Sequence, residues 1–256
     1  MTLSDGADIT ADLVVGADGA RSLVRALAGI SATKFDYKSD GVVANFSSEK
    51  PHGGVARQWF LGDGVGGKSV LAYLPLPNQQ VSIVWSMSKR QADEMALHSV
   101  ETSADTVAET FADAVAKAAN YALGKLTPAS AVARIGLQKL TAEHWVQPGL
   151  ALIGDAAHAI HPMAGQGANL GFADARELLD ALENRSALSA MGDLRVLRCY
   201  ERARREDAAA MGAVTHGLRA LYLSDAAIAK RVRNQGLNVL NEMPVVKALF
   251  MNHAMK

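Results

Sequence analysis

The stretch from Leu150 to Leu182 determines more of the architecture than any other part of the sequence. Leu150–Gly154 is a short apolar run, which is typical of a buried strand, and it ends at Asp155. A loop rich in glycine, histidine and proline follows, and Asn169–Leu182 then carries apolar residues at helical spacing. A buried strand that leads through a loop into a helix predicts an α/β arrangement with Asp155 at the carboxyl end of its strand.

Small residues in this loop suit a ligand that approaches the backbone. Gly165-Gln166-Gly167 lies directly before the helix, where unpaired N–H groups favour an acceptor or an anion. The ribityl chain of a flavin needs a hydroxyl acceptor such as Asp155, and its pyrimidine edge, which gathers negative charge on reduction, suits a helix N-terminus. Two other interpretations compete: a loop without a ligand, and a metal site at His158 and His161, which is disfavoured because no third ligand lies nearby.

A second strand-to-turn motif lies near the start of the chain. Ala11–Ala17 is again typical of a buried strand, and Asp18-Gly19 turns the chain at its carboxyl end. Ligands bind at that edge of open α/β sheets. An aspartate there accepts hydrogen bonds from ribose hydroxyls or orients a basic residue, and Arg21 suits a phosphate. The alternative is a tight turn without a ligand, leading into a short helix capped by Ser22.

Between these two motifs the pattern changes to short strands. Valine, aromatic and alternating residues predict an antiparallel sheet with one or two helices, and Ala104–Ala122 has the composition of a helix. Gly62–Gly67 joins two strands rather than a strand and a helix, which favours a hairpin loop over a phosphate-binding loop. The predicted strands are Gly41–Ser47, Val55–Leu61, Ser69–Leu74 and Gln80–Ser86.

Composition and charge narrow the class of protein. The 26 basic and 26 acidic residues balance, so no strong field points to nucleic acid. The single cysteine, Cys199, excludes an intrachain disulfide and fits a reducing compartment. The first residues lack the pattern of a signal peptide, and no apolar run reaches the roughly 18 residues of a membrane span. We therefore expect a cytoplasmic protein without a metal site, and contact with a membrane surface stays open.

The two motifs together resemble those of the class A flavoprotein monooxygenases, which share the para-hydroxybenzoate hydroxylase fold. The run His161–Asp174 follows the pattern His-Pro-x-Ala-Gly-Gln-Gly-x-Asn-x-Gly-x-x-Asp of the ubiquinone-biosynthesis hydroxylases, with Met163 in place of the usual Leu or Ile. Further segments similar to that group extend the resemblance over essentially the whole chain. They are Leu71–Pro77, Ser82–Ser86, Tyr200–Arg205, Arg233–Leu237 and Pro244–Lys247.

The resemblance implies an α/β (α+β) fold with several parts. Residues 1–34 and 136–184 are expected to form parts of a Rossmann-like FAD-binding domain, residues 35–135 an antiparallel-sheet substrate domain, and residues 185–256 a C-terminal helical region. The strand, glycine-rich turn and helix with which the family begins are not found ahead of Asp18. We therefore expect the segment that holds the ADP half of FAD to be missing.

FAD and NAD(P)H are the cofactors that the resemblance implies, with O₂ as the oxidant for hydroxylation of an aromatic ring. Asp155, after Gly154, is expected at the ribityl chain. Pro162 and its loop are expected at the reactive ring edge, and no side chain is assigned as a general base. The Asp18–Gly19 turn and Arg21 are expected near the pyrophosphate. The other expected cofactor-binding residues are Gly165, Gln166, Gly167, Ala168, Asn169 and Leu170.

A prenylated phenol or quinone precursor is the substrate that the resemblance implies, in ubiquinone biosynthesis. Trp59, Tyr73 and Trp85 are candidates to line its pocket, although aromatic residues at strand spacing are also typical of a core. Apolar residues between positions 239 and 251 give the tail a face for peripheral membrane contact, for packing or for a partner subunit. Unpaired strand edges favour a homo-oligomer, and other ubiquinone-biosynthesis proteins are further candidate partners.

Two alternative functions stay open. One is an FAD-free binding or scaffold protein derived from the same fold, which an FAD titration distinguishes from an enzyme. The other is a flavin monooxygenase that acts on a different aromatic substrate, which product analysis distinguishes from a ubiquinone-biosynthesis hydroxylase.

Overall fold

The chain divides into two compact units. Unit 1 consists of residues 1–35 and 138–256, and unit 2 consists of residues 36–137. The sequence places the corresponding boundaries after residues 34 and 135, and residues 185–256, which the sequence sets apart as a helical region, fall in unit 1. The computed structural model describes residue 6 and residues 8–62, 68–96, 104–161 and 167–223.

Unit 1 is built around a small sheet with helices. Its described elements are β1 (Val14–Gly16), α1 (Leu23–Leu27), β8 (Val146–Gln147), β9 (Leu150–Leu152), a 3₁₀ turn (Gly154–Ala156), β10 (His158–Ala159), α4 (Gly167–Glu183) and α5 (Leu194–Leu223). Strand β9 lies between β1 and β8. It pairs with β1 in parallel and with β8 in antiparallel fashion. The core of this unit joins Leu152 of the sheet to Trp145, Leu197 and Tyr200, all of which are buried.

The loop between α4 and α5 packs closely on one end of this sheet at Gly192. The backbone N–H of Gly149 donates to the carbonyl of Gly192 over 2.9 Å, and Val14 N–H donates to the carbonyl of Gly149 over 2.9 Å. A Cβ at Gly192 would overlap the carbonyl oxygen of Asp12 and would lie 2.8 Å from Cα of Gly149. Only glycine therefore lets this loop reach the turn between β8 and β9.

Unit 2 is an antiparallel sheet with helices. Its elements are β2 (Ala32–Ser48), β3 (Arg57–Leu61), β4 (Ser69–Leu76), β5 (Gln80–Ser88), α2 (Lys89–Ala96), α3 (Ala104–Ala118), β6 (Leu126–Pro128) and β7 (Ala133–Ala142). The strand order is β7-β2-β5-β4-β3, with β6 paired to β2. Strands β2, β5, β4 and β3 run antiparallel to their neighbours. The first residues of β2 and the last of β7 belong to unit 1.

The core of unit 2 lies on one face of this sheet. Alternate residues of β5 from Val81 to Met87 are buried, as period-two alternation in a strand requires. Phe111 and Val115 of α3 belong to the same cluster. The antiparallel sheet and helix of unit 2, together with the parallel strand pair and helices of unit 1, confirm the predicted mixed α/β class.

Several elements differ from the sequence prediction. Strand β2 begins at Ala32, well before the expected Gly41, and it passes through Lys38 at a φ of 53°. The Asp36 carboxylate accepts the Lys38 N–H over 2.8 Å, which is a turn-like contact inside a strand. Helix α2 is the second of the one or two helices expected in this block, and strand β7 was not predicted. Residues 133–136 of β7 are all exposed, so this strand begins without the alternation that marks a strand in sequence.

Candidate functional site

The two predicted ligand motifs follow neighbouring parallel strands of unit 1. In the register of β1 and β9, Gly16 pairs with Leu152. Asp18 therefore follows β1 at the sheet edge where Asp155 follows β9, which is the edge that binds ligands in open α/β sheets. A Cβ at Gly16 would lie 2.8 Å from Leu152 Cδ2 and 2.9 Å from Val24 Cγ1. The missing side chain thus lets β1, β9 and α1 pack closely beneath this edge.

The carboxylate of Asp18 is used by the protein itself. Its Oδ2 accepts the backbone N–H groups of Leu23 over 2.7 Å and of Val24 over 3.1 Å. Burial alone raises the pKa of Asp18, but hydrogen bonds from the Ser22 hydroxyl and from the amides of Val24 and Leu23 outweigh it, so the net pKa lies below its usual value. Ser22 also caps α1 by accepting the N–H of Arg25 over 2.9 Å. Asp18 therefore fixes the start of α1, and its predicted place near a pyrophosphate stays a prediction.

Replacement of Asp18 by alanine is expected to lower the free energy of unfolding by about 1 kcal/mol at pH 7, the usual contribution of a helix cap. Because the folded-state pKa is depressed, the carboxylate stabilises the fold above its unfolded pKa. This contribution is lost as the pH falls through the folded-state pKa, so the difference from wild type should shrink below about pH 4. Urea denaturation at pH 7 and pH 3 measures it. The exposed Asp12, replaced by alanine, is the control, and a difference for D18A that is independent of pH would contradict the assignment.

The two arginines of this motif occupy different environments. Arg21, which the sequence places at a phosphate, is exposed, and its side chain makes no hydrogen bond or ion pair to the described residues. Arg25 is 6% exposed. Its guanidinium donates to the carbonyl of Ala156 over 2.7 Å and to the carbonyl of Ala20 over 2.9 Å. Arg25 therefore links the turn after β1 to the turn after β9 by hydrogen bonds, a role that was not predicted from the sequence.

Asp155 lies in the 3₁₀ turn that follows β9. Asp155 is exposed as a whole residue. Partial burial of its carboxyl group nevertheless raises the pKa of Asp155, and the charge of His158 lowers it by a smaller amount. The carboxylate accepts no hydrogen bond from the described residues. A partly buried carboxylate that accepts no hydrogen bond from the described residues, at a ligand-binding sheet edge, can accept hydrogen bonds from the hydroxyl groups of a bound ligand. This is the property that the flavin hypothesis requires of Asp155.

The helix that follows the loop begins at Gly167 rather than at Asn169. Ala168 and Asn169 are exposed in its first turn, while Leu170 is buried. A Cβ at Gly167 would meet no atom of the described residues within 4 Å, so none of them fills the space beside this helix start. Open space at a helix N-terminus suits the approach of an acceptor group. Pro162, Gly165 and Gln166 lie outside the described residues, and their assigned roles stay predictions.

A buried polar cluster lies beneath the turn that carries Asp155. Asp174 of α4 is 0% exposed. Its Oδ2 lies 2.6 Å from His158 Nε2 and accepts the backbone N–H of Gly154 over 2.9 Å. Its Oδ1 accepts the Nε–H of Arg204 over 3.0 Å. The ring of His158 stacks on Trp145, with centroids 4.6 Å apart. From the sequence, Asp174 is recognisable only as the last residue of a motif, and no role is predicted for it.

Helix α5 holds the segment before this turn through several side chains. The Tyr200 hydroxyl donates to the carbonyl of Leu152 over 2.8 Å. Glu201 accepts the backbone N–H of Trp145 over 2.8 Å, and Arg205 donates to the carbonyl of Glu143 over 3.0 Å. Together with Arg204, these contacts give a structural reason for the Tyr200–Arg205 segment that the resemblance singled out.

The three aromatic residues considered for substrate contact belong to unit 2. Tyr73 and Trp85 are 2% and 0% exposed, and both belong to the core cluster that includes α3. The Tyr73 hydroxyl donates to the carbonyl of Val115 over 3.1 Å, and Trp85 Nε1–H donates to the Ser69 hydroxyl over 2.9 Å. Trp59 is half-buried and contacts Tyr73 edge-to-face. These contacts account for Tyr73 and Trp85 as core residues.

Comparison with known proteins identifies the family. The FAD binding domain family matches residues 2–215. The chain belongs to the FAD-binding monooxygenase family. Within this family it is 35% identical over 255 residues to ubiquinone hydroxylase UbiL of Rhodospirillum rubrum, which covers 99% of this chain and 56% of that protein. It is 34% identical over 262 residues to 3-demethoxyubiquinol 3-hydroxylase of Escherichia coli, which covers 100% of this chain and 62% of that protein.

Comparison with a solved structure supports the same family. PqsL of Pseudomonas aeruginosa, a probable FAD-dependent monooxygenase, matches with a TM-score of 0.66 and 26% identity over 91% of this chain and 61% of that chain. The resemblance drawn from the sequence is thereby confirmed. The chain spans less than two thirds of the length of each of these three proteins.

Proposed function

We propose that this chain supplies the flavin-facing part of an FAD-dependent hydroxylase of ubiquinone biosynthesis. The observation that carries the proposal is the pairing of β1 with β9, which presents the Asp18 and Asp155 turns at one sheet edge in a member of the FAD-binding monooxygenase family. The names of its relatives in Rhodospirillum rubrum and Escherichia coli support the hydroxylase class.

The residues at this edge fit a flavin. For a ribityl hydroxyl, Asp155 offers an acceptor that no described donor uses. The first turn of α4, Gly167–Leu170, offers backbone N–H groups for the pyrimidine edge, and no described atom lies within 4 Å of a Cβ at Gly167. Bound FAD, reduced by NAD(P)H, would supply the activation of O₂ for hydroxylation. The protein's own part is to hold the ribityl chain at Asp155 and to place acceptor groups of the ring at the helix start.

A prenylated phenol is the proposed substrate. Because Tyr73 and Trp85 face the core, the face proposed for the substrate is the opposite face of the same sheet. On that face Val84 is half-buried and Phe60 is 41% exposed. Peripheral membrane contact fits an isoprenoid substrate, and its proposed element, residues 239–251, lies outside the described residues. In the described part of the chain no helix combines the length and the apolar character of a membrane span. Association into a homo-oligomer, or with other ubiquinone-biosynthesis proteins, is part of the same proposal.

An FAD titration followed by flavin absorbance and fluorescence tests this proposal. Asp155→Ala is expected to raise the Kd for FAD by about tenfold or more, because it removes a charge-assisted hydrogen bond to the ligand. Asp180→Ala is the matched control, since Asp180 is an exposed aspartate of α4 away from the turn, and its Kd is expected to equal that of the wild type.

Two outcomes would contradict the proposal. The assignment of Asp155 fails if D155A and D180A bind FAD equally well. The proposal of FAD binding by this chain fails if the wild type does not bind FAD at tens of micromolar, in which case the FAD-free binding protein is the better description. With FAD bound, NADPH oxidation and product analysis with a prenylphenol then test the substrate class.

A further inference from the structure

Asp174 receives hydrogen bonds from three separate segments of unit 1. These are the backbone N–H of Gly154 after β9, the ring of His158 on β10, and the guanidinium of Arg204 on α5. A carboxylate with no exposed surface is costly unless it is paired and fully hydrogen-bonded. Arg204, itself 7% exposed, provides the paired charge. The cluster is therefore a buried polar network in which three donors share one carboxylate, while Arg204 Nη1 also donates to Asp207.

One of these donors belongs to the turn that carries Asp155. Gly154 has a φ of 58°, which glycine adopts without strain, and its carbonyl accepts the N–H of Ala157 over 2.9 Å. The turn also packs on α4: a Cβ at Gly171 would lie 3.5 Å from Cα of Gly154. Gly167, Gly171 and Asp174 share one face of α4 because they are four and three residues apart. The same face of the helix thus meets the turn twice.

We infer that Asp174, paired with Arg204, is a positioning residue that fixes the Asp155 turn against the start of α4. These two segments are the halves of the proposed flavin site. Asp174 accepts a hydrogen bond from Gly154 in the turn, and it belongs to α4, the helix that begins at the other half. Its carboxylate holds Gly154, and thereby sets the direction in which the next residue, Asp155, leaves the strand. This inference rests on the proposed function for its ligand, FAD, but its geometric part concerns only the turn.

An amide in place of the carboxylate cannot keep all three contacts. Asparagine at position 174 retains one acceptor oxygen and presents an NH₂ group to the other donors. Arg204 then loses the buried one of its two carboxylate partners, and at least one N–H loses its acceptor. The backbone N–H of Gly154 can then open, because a buried donor without a partner gains from exposure to water. The expected result is a turn that exchanges its amide hydrogens faster and a flavin site that is less well ordered.

Asp174→Asn is compared with wild type by hydrogen exchange at residues 154–157 and by FAD titration. We expect faster exchange in this turn and a Kd for FAD raised by about tenfold, the scale of one charge-assisted hydrogen bond. Tyr200→Phe is the matched control, because it removes another buried hydrogen bond, to the Leu152 carbonyl, next to the same turn. Y200F should lower the melting temperature but leave the Kd for FAD within about twofold.

A second control removes the other carboxylate of Arg204. Asp207 accepts from Arg204 Nη1 over 2.8 Å at an exposed position, and D207N should leave both exchange in the turn and FAD affinity unchanged. If D174N yields no folded protein, Arg204→Lys tests the same network, since it keeps the charge but not the planar fork. Smaller changes in the same direction are expected for R204K.

Each outcome decides the inference. Exchange at residues 154–157 in D174N that matches Y200F overturns it, whether or not FAD binds. Faster exchange with an unchanged Kd for FAD also overturns it, since the turn would then not set the ligand site. Absence of FAD binding by the wild type refutes the proposed function separately, and the exchange comparison then decides the geometric part alone.

Discussion

Gly192→Ala is expected to lower the free energy of unfolding by about 3 kcal/mol, at the upper end of the usual cost of overpacking. The added Cβ would overlap the carbonyl oxygen of Asp12 and would lie 2.8 Å from Cα of Gly149. Both obstacles are backbone atoms, so no side-chain rotation relieves the contact. The backbone hydrogen bond from Gly149 to Gly192 must lengthen or break. Scanning calorimetry should detect a melting temperature lower by roughly 6–12 °C.

Gly217→Ala provides the matched control for this substitution. Gly217 lies in α5, and a Cβ there would meet no atom within 4 Å of the described structure. Alanine is favoured over glycine inside a helix, so G217A should leave the melting temperature unchanged or raise it slightly. Equal melting temperatures for G192A and wild type would show that the loop can move away from the β8–β9 turn at little cost.

The second large effect is expected at Arg25. Its guanidinium makes hydrogen bonds to the carbonyls of Ala20 and Ala156, and the side chain is nearly inaccessible. Arg25→Met keeps much of the aliphatic volume but leaves both carbonyls without this donor. The expected loss is about 2–4 kcal/mol of the free energy of unfolding, because hydrogen bonds from a charged donor are among the stronger ones and a buried acceptor is left unsatisfied. Urea denaturation measures it.

Arg21→Met is the control for Arg25, because it makes the same chemical change four positions earlier. Arg21 is exposed and its side chain makes no hydrogen bond or ion pair to the described residues, so R21M is expected to stay within about 0.5 kcal/mol of wild type. If R21M and R25M are equally stable, the link between the two turns contributes little. An FAD titration of R21M also tests whether Arg21 meets the pyrophosphate.

The strand ends were predictable from the sequence because their signals are local. A short apolar run that stops at an aspartate places Asp18 and Asp155 on turns without any knowledge of the rest of the fold. The alternation in β5 likewise predicted a half-buried strand. The pairing of β1 with β9 then follows only from the resemblance, since the two strands are distant in the chain and no local pattern selects the partner.

The contacts inside the site were not predictable, because they depend on which face of an element turns inward. Arg21 and Arg25 belong to the same short segment, and only the direction of α1 makes Arg25 the buried one. Asp174 and Arg204 are ordinary charged residues of two helices until α4 and α5 pack together. Trp85 is the reverse case. An aromatic side chain that could line a binding pocket lies in the core, because its position in β5 points to the buried face of the sheet.

The interruption of unit 1 by unit 2 has a consequence for how the protein forms. Strand β1 cannot pair until β9 has been synthesised, whereas unit 2 is one continuous segment. Strands β2 and β7 are neighbours in the sheet of unit 2, so its folding brings residues 36 and 137 toward each other. The long loop between β1 and β9 is thereby replaced by a short effective one, and the entropy lost on closing it falls. We therefore expect the sheet edge that unites Asp18 and Asp155 to form after the inserted segment has folded.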